Sequence, residues 1–302
     1  MPRTTASPIS LPPATDRRSR RSGIALYCAA LVCFALLDTT AKWLGARIDT
    51  IQIVWARFTG HFVLSFLFVN PWTVPGLVHT RRLRWQIGRS ALLLGTTVFN
   101  FIALRFLQLD QTSAITFTAP FLVAALSGPM LGEWIDRRRW TAIAIGFSGI
   151  LLVTRPGAGG IHPAALCSVA AACSYALYSI ATRKLAAHDR TDTTSFYSPI
   201  VGMIATSIPV AWFWTTPPDL ATTAGLMVVG VFGWIGHWFL IAAHRHAPAS
   251  VLAPFSYSQI VWMIITGALV FGDLPSRWTL AGAAVVVASG LYLLSRERQS
   301  HT

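Results

Sequence analysis

Long uninterrupted apolar runs are the feature that most constrains how this chain can fold. Runs of about 20 residues with few or no charges recur along most of its length, and each is long enough to cross a hydrocarbon core about 30 Å thick. The runs are continuously apolar rather than alternating, which excludes a membrane β-barrel. The sequence therefore predicts an all-α integral membrane protein surrounded by the lipid bilayer.

Ten transmembrane helices are predicted, and the loops between them are too short to hold a soluble domain. Charged residues make up 12% of the chain, about half of their share in an ordinary soluble domain. The predicted spans cover approximately residues 23–44, 50–70, 86–108, 112–131, 139–155, 163–184, 193–214, 221–243, 248–271 and 276–295.

The distribution of basic residues predicts the orientation. Of the 24 lysines and arginines, 18 fall in the tails and loops on the side of the N-terminus, five fall on the other side, and Arg57 lies inside a span. Because Lys and Arg concentrate in cytoplasmic loops, both termini are predicted to lie in the cytoplasm, with the spans in a bacterial inner membrane. The net charge of +13 then reflects topology. No nucleic-acid partner is predicted, since no nucleic-acid-binding motif accompanies the charge.

The two ends of the chain are predicted to be cytoplasmic tails. Residues 1–22 contain four prolines and five arginines, a composition typical of a disordered segment, and residues 297–302 form a short second tail. The four cysteines lie in apolar runs without the spacing of metal ligands or of a disulfide framework. No metal site and no cofactor are predicted.

The chain repeats itself at an offset of 140 residues. The segments GEW (132–134) and RWT (139–141) recur as GDL (272–274) and RWT (277–279). Each half would hold five spans, an odd number, so the second half must insert upside down relative to the first. Such an inverted repeat is typical of secondary transporters that work by alternating access. The predicted halves are residues 23–157 and 158–296.

Three segments carry a resemblance to a known family. They are LRFLQLDQTSAITFTAPFLVAALSGPMLGEWIDRRRW (104–140), GFSGILLVTRPG (146–157) and HRHAPASVLAPFSYSQIVWMIITGALVFGD (244–273). With ten spans in two five-helix halves, the chain resembles the EamA-like branch of the drug/metabolite transporter superfamily. The second copy departs from the first at Asp273, which stands where the first copy has Glu133.

The resemblance implies a secondary transporter that exports a small polar metabolite, above all an amino acid or an amino-acid-derived compound such as a metal chelator. The alternative is an importer of a vitamin or cofactor-like solute such as riboflavin. A proton is a candidate coupling ion, and a homodimer is a candidate assembly. An enzyme is not expected, because the spans contain no clustered nucleophile and base and no metal triad. A sensor or scaffold would make no use of an inverted repeat.

Asp38 and Arg57 are the candidate centre of a substrate-binding site. Each lies about seven residues inside its span, at the same predicted depth, and a charge there costs roughly 2.5–3.5 kcal/mol on insertion scales. Arg57 is a candidate anchor for a substrate carboxylate, with Asp38 as its partner or as a proton-coupled switch. Two alternatives are a static ion pair between the two helices and an Arg57 side chain that snorkels to the surface.

Three further polar residues are candidates for the substrate-binding cavity. His61 lies one helical turn beyond Arg57 and could relay protons or be a neutral histidine bonded to a carbonyl. His237 lies in the eighth span and Asn100 in the third, which correspond to each other under the repeat. For both, the alternative is an interhelical hydrogen bond.

Aromatic and proline residues complete the set of candidates. Tyr175, Tyr178, Trp234 and Tyr257 are candidate contacts for a planar or zwitterionic solute, with ordinary packing as the alternative. Pro120 and Pro254 occupy repeat-related spans and are candidate hinges, since a proline frees a backbone carbonyl and permits a kink. No catalytic residue is predicted.

Overall fold

A computed structural model describes residues 17–107, 112, 115–116, 118–154, 163–272, 277–278, 280–282, 284–285, 288–289 and 292. Within this part of the chain the secondary structure is helical, with no strand. The helices are α1 (Arg17–Gly45), α2 (Thr50–Phe68), α3 (Leu83–Phe106), α4 (Ala119–Leu131), α5 (Arg137–Thr154), α6 (Ala165–Ala186), α7 (Thr191–Tyr197), α8 (Ile200–Ser207), α9 (Leu220–His246), α10 (Ala249–Leu252) and α11 (Gln259–Phe271).

Five of these helices are long and apolar enough to cross a membrane: α1, α2, α3, α6 and α9. The first begins at Arg17, so its first six residues fall within the predicted tail 1–22. Arginine is a good helix former, and the Ser19 hydroxyl donates to the His246 carbonyl at 3.1 Å, which fixes this end of α1. The predicted tails at 1–16 and 297–302 lie outside the described residues.

The predicted seventh span is not one helix. It consists of α7, α8 and a 3₁₀ turn at Pro209–Ala211. Pro199 stands between α7 and α8, and its missing N–H cannot continue the helical ladder. A broken helix at membrane depth is tolerated where protein covers the freed backbone groups.

The two prolines predicted as hinges occupy different positions in their helices. Pro254 lies in the 3₁₀ segment Ala253–Ser258 that separates α10 from α11, so the ninth span is broken there. Pro120 lies in the first turn of α4, where its missing N–H would have no helical partner in any case. A hinge role for either residue stays a prediction. The tenth predicted span, 276–295, falls on residues that are only partly described.

The offset of 140 residues reappears in the backbone. Helices α4 and α11 each have 13 residues and each ends at a glycine with positive φ, Gly132 at 73° and Gly272 at 71°. Helices α3 and α9 are followed by the C-cap residues Leu107 and Ala247, which both donate their N–H to the carbonyl four residues earlier. These shared ends place equivalent helices in the two halves.

The helix packing follows the same symmetry. Helix α1 packs along α9, and α3 packs along α6. Since α1 corresponds to α6 and α3 to α9, these are two copies of one contact. We call the side at which α1 begins and α9 ends the N-terminal face, and the other side the opposite face.

Glu133, in the motif that carries the family resemblance, ties three elements together at the N-terminal face. Its Oε1 accepts from Arg183 Nε at 2.6 Å, and its Oε2 accepts from the Ala249 N–H at 3.0 Å. Arg183 also donates to the His244 carbonyl at 2.7 Å. The end of α4 is thereby bound to α6 and to the turn between α9 and α10.

Helices α2 and α9 meet at two glycines, which leads to a first prediction. A Cβ atom added at Gly230 would lie 2.8 Å from Gly60 Cα, closer than backbone packing allows. We expect Gly230→Ala to lower the thermal midpoint of the purified protein, because overpacking costs about 1–3 kcal/mol. In Gly88→Ala the added Cβ would meet nothing within 4 Å, and alanine favours a helix, so this control should not be destabilised. Equal midpoints for the two variants would contradict the close contact.

Candidate functional site

A cavity lies between α1, α2, α3, α6 and α9, with residues of α4 and α11 at its edge. The empty space between its side chains, including the part that opens to solvent, is about 770 Å³. Its polar lining residues are Asp38, Arg57, Thr96, Thr97, Asn100, Thr116, Tyr175, His237, Ser256 and Gln259. Its apolar lining residues are Leu31, Phe34, Leu37, Leu93, Phe101, Ala119 and Ala171.

Arg57 is buried and points into this cavity from α2. Its guanidinium donates to the Thr97 hydroxyl and, through Nη2, to His237 Nε2 at 2.8 Å. Among the described residues, Arg57 Nε has no hydrogen-bond partner. Gly233 of α9 makes room for the side chain, since a Cβ there would lie 3.4 Å from Arg57 Cγ. Arg57 therefore does not snorkel to the surface.

Asp38 lines the same cavity from α1, where its Oδ1 accepts a hydrogen bond from Asn100 Nδ2 at 3.1 Å. Asp38 and Arg57 make no direct contact, and each charge is instead hydrogen-bonded by neutral groups of α3 and α9. The static ion pair between α1 and α2 is therefore not formed. A negative and a positive side chain face one cavity without neutralising each other by contact.

The two predicted histidines lie next to each other. The rings of His61 and His237 are stacked, with centroids 5.8 Å apart and planes 13° apart. His237 lines the cavity, whereas His61 is buried behind it and its Nε2 has no hydrogen-bond partner among the described residues. His237 makes the interhelical bonds that were its alternative, to Arg57 and, from Nδ1, to the Tyr178 hydroxyl at 3.1 Å. Proton relay by His61 stays a prediction.

Of the aromatic residues predicted as substrate contacts, Tyr175 lies in the cavity lining, whereas Tyr178 and Trp234 do not. Tyr178 is fully buried, but it bonds to His237 and its ring contacts that of Tyr175, both of which line the cavity. Trp234 stacks on Phe68 at 5.0 Å, away from the lining, because Phe68 is exposed at the periphery and offers it an apolar partner. The Tyr257 side chain lies outside the described residues. Tyr175 lines the cavity and bonds to the Tyr27 hydroxyl at 3.0 Å.

Sequence reasoning missed two important residues. Thr97 lies three positions before Asn100, so the two side chains share one face of α3, and this spacing could have identified Thr97. Arg89 was assigned to a cytoplasmic loop because it lies near the start of the predicted third span. Its side chain is instead fully buried in the bundle, where it contacts Tyr178.

The side chains that line the cavity are suited to binding a solute. Among the described residues, no three His, Cys, Asp or Glu side chains come together as a metal site would require. Arg57 can bind a carboxylate or another anion, while Asp38 with Asn100 can bind a cation or a hydrogen-bond donor. The apolar walls suit the carbon skeleton of a small solute.

Comparison with known proteins shows a match to one transporter family over nearly the whole chain. A model of the EamA-like transporter family matches residues 21–155 and 162–296, which are the two repeats. A crystal structure with 17% sequence identity superposes with a TM-score of 0.76 over 94% of this chain and 99% of its own. That likeness concerns the fold.

Several curated transporters are similar to this chain in sequence. An S-adenosylmethionine uptake transporter of Rickettsia conorii is 27% identical over 92% of this chain and 94% of its own length. A riboflavin transporter of Rhizobium johnstonii is 27% identical over 88% of each chain. A pseudopaline exporter of Pseudomonas aeruginosa is 25% identical over 90% of this chain and 96% of its own.

Proposed function

This chain belongs to the EamA-like transporter family, and from that premise we propose that it is a secondary transporter of an amino-acid-derived metabolite, bound between Asp38 and Arg57. It is a multi-pass membrane transporter rather than an enzyme. The observation that carries the proposal is the pair of opposite charges that face one cavity without touching. A solute with an α-amino carboxylate offers the complementary pair.

Arg57 is the proposed carboxylate site. Its partners Thr97 and His237 are neutral, so within the described part of the chain the buried positive charge has no counter-ion in direct contact. A bound carboxylate would supply that charge, and guanidinium–carboxylate hydrogen bonds are roughly twice as strong as those between neutral groups. The cost of burying Arg57 is thereby offset in the loaded state.

Asp38 is the proposed site for the ammonium group or another cationic part of the solute. Its Oδ1 accepts from Asn100, and a carboxylate has further acceptor positions that a ligand can use. Proton binding at Asp38 is a second role compatible with this position. A proton and the cationic group of the solute would then compete for the Asp38 carboxylate. Because only one of them can bind at a time, proton binding and solute binding would be coupled.

S-adenosylmethionine fits this pattern well, since it carries an α-carboxylate, an α-ammonium group, a sulfonium and a planar adenine ring. Riboflavin has the planar ring but no carboxylate. Because Phe34 and Tyr175 line the cavity beside the charged groups, there are aromatic contacts for a ring as well. We therefore place amino-acid-derived solutes ahead of riboflavin.

Export is the proposed direction, with both termini in the cytoplasm of a bacterial inner membrane, as the excess of Lys and Arg on that side favours. The pseudopaline exporter supports it. Uptake is the second candidate, and the relative named as an S-adenosylmethionine uptake transporter favours it. The binding site itself would serve both directions, since the gradients of solute and coupling ion set the net flux.

The test is counterflow in proteoliposomes that contain the purified protein. Vesicles loaded with unlabelled S-adenosylmethionine should accumulate the radiolabelled compound, and excess riboflavin outside should not compete. Accumulation of labelled riboflavin alone would contradict the carboxylate-based proposal and favour the vitamin importer. Vesicles with the Arg57→Ala protein are the control for entry that bypasses the cavity.

A further inference from the structure

Arg89 is a fully buried arginine that the proposed binding site does not use. It lies in α3, near the N-terminal face. Its Nη1 donates to the Tyr178 hydroxyl at 2.8 Å, and its Nη2 donates to the Thr194 carbonyl at 2.6 Å and to Ser198 Oγ at 2.5 Å. These partners are all neutral. One arginine thus connects α3 to α6 and to the broken span formed by α7 and α8.

The break in this span is what makes the Thr194 carbonyl available. In a regular helix it would accept from the N–H of Ser198, four residues on. Here the Ser198 N–H donates to the Ser195 carbonyl instead, at 3.1 Å. The Thr194 carbonyl accepts from Arg89 and from Ser198 Oγ. The contact therefore depends on the irregular backbone before Pro199.

Packing alone does not require an arginine at this position. The residue 140 positions later is Val229, which is also fully buried. Near Val229, α9 meets α2 through the contact of Gly230 with Gly60. Because the fold accepts valine in the equivalent place, and a charge within the membrane is costly, the arginine indicates a task beyond packing.

Hydrogen bonds connect Arg89 to the cavity. Arginine is only a donor, so His237 Nε2 must accept from Arg57, which leaves the proton of the neutral ring on Nδ1. Nδ1 then donates to the Tyr178 oxygen, which also accepts from Arg89 Nη1. The chain runs from Arg57 through His237 and Tyr178 to Arg89 without a gap.

The two faces of the bundle are closed to different degrees. At the N-terminal face, Asp189 is buried and its Oδ2 accepts from Thr80 Oγ1 and Gln86 Nε2, both at 2.7 Å. Its counterpart 140 residues earlier is Asp49, at the opposite face. Asp49 meets Arg105 at 3.7 Å with side chains 27% and 51% exposed. The polar contact of the repeated aspartate is therefore buried at the N-terminal face and partly exposed at the opposite face, and Arg89 lies between the N-terminal face and the cavity.

We propose that Arg89 is the gate residue of the N-terminal face and that His237 and Tyr178 connect it to the cavity. Its bonds to Thr194 and Ser198 hold α3 against the broken span. This linkage to solute binding rests on the proposed function. A carboxylate that draws Arg57 away from His237 frees the imidazole, which loosens its bond to Tyr178 and with it the hold on Arg89.

Hydrogen–deuterium exchange of the full chain in lipid nanodiscs tests the gate without any solute. Arg89→Gln removes the charge and the bonds to Thr194 and Ser198. We expect exchange over residues 191–207 to accelerate by about tenfold or more, since hydrogen bonds from a charged donor are among the strong ones. Exchange over residues 50–68 should stay as in the unaltered protein. Unchanged exchange over 191–207 would overturn the proposal, and so would uniform acceleration, which would make Arg89 a support of the whole fold.

Three further variants sharpen this experiment. Arg84→Gln removes an exposed arginine of the same helix and should leave exchange over 191–207 unchanged. Ser198→Ala deletes one acceptor and should accelerate the same segment more weakly, which keeps the test valid if Arg89→Gln does not fold. Tyr178→Phe should also accelerate it, and the double variant with Arg89→Gln should match Arg89→Gln alone, because coupled residues are not additive. Additive effects would overturn the connection through Tyr178.

The exchange experiment tests the gate independently of the proposed substrate. If S-adenosylmethionine is not transported while Arg89→Gln accelerates 191–207 selectively, the substrate proposal fails and the gate stands. If transport occurs and the exchange of 191–207 is indifferent to Arg89, the substrate proposal stands and the gate is contradicted.

Discussion

Replacing Arg57 with alanine is expected to abolish transport of the solute while the protein still accumulates in the membrane. Loss of the guanidinium removes the carboxylate contact, and truncating one partner of a buried charged pair costs about 2–5 kcal/mol, or roughly 30-fold to several thousand-fold in affinity. The fold should survive because Thr97 and His237 are neutral. Asp38, the other charge at the cavity, keeps its hydrogen bond from Asn100 in this variant.

The measurement is initial rate of counterflow together with the amount of protein per vesicle. Arg105→Ala serves as the control, since this arginine is half exposed and its 3.7 Å ion pair with Asp49 is of a kind worth about 0–1 kcal/mol. Normal transport by Arg57→Ala would exclude the arginine as a substrate anchor. A protein that no longer accumulates would identify Arg57 as a structural residue.

Replacing Asp38 with asparagine is expected to have the second largest effect. Asparagine has the same shape and can still accept from Asn100, so the change removes the negative charge with little disturbance of packing. If Asp38 binds the ammonium group, the apparent affinity should fall about 30-fold or more. Counterflow without a pH gradient should then be impaired at every solute concentration below saturation.

The same variant separates solute binding from proton coupling. If Asp38 acts only as a proton switch, Asp38→Asn should retain counterflow and lose accumulation driven by a pH gradient. Asp49→Asn is the matched control, because Asp49 is the N-cap of α2 outside the cavity. Wild-type affinity together with wild-type proton-driven accumulation in Asp38→Asn would show that neither role belongs to this residue.

The sequence predicted the membrane fold and its repeat because both leave periodic signals. Apolar runs of fixed length mark the spans, and the recurrence of similar residues at an offset of 140 marks the two halves, which the equivalent helix ends at Gly132 and Gly272 match in the backbone. Breaks inside the spans were harder to predict. Pro199 and Pro254 were visible in the sequence, but only the surrounding packing decides whether a proline bends a membrane helix or interrupts it.

The sequence indicates candidate residues of the site but does not determine their pairings. Depth along a helix can be read from a sequence, and Asp38 and Arg57, which share a predicted depth, both line one cavity. Which side chain bonds to which depends on helix rotation, and so the expected contact of Asp38 with Arg57 was replaced by Thr97 and His237. Arg89 was missed because a basic residue near the end of a span has the same sequence signature whether it faces water or the interior.

The most direct test of the central claim compares the small molecules in medium and in cells that contain the intact protein, the Arg57→Ala protein or none. We predict one amino-acid-derived solute with a free carboxylate that is depleted from the medium and enriched in cells when the protein is absent, and equally so with Arg57→Ala. If that solute instead stays in the medium when the protein is absent, the proposed binding site would stand and the direction of transport would be uptake. A responding solute that has no carboxylate, or one whose distribution is the same with Arg57→Ala as with the intact protein, would contradict the account.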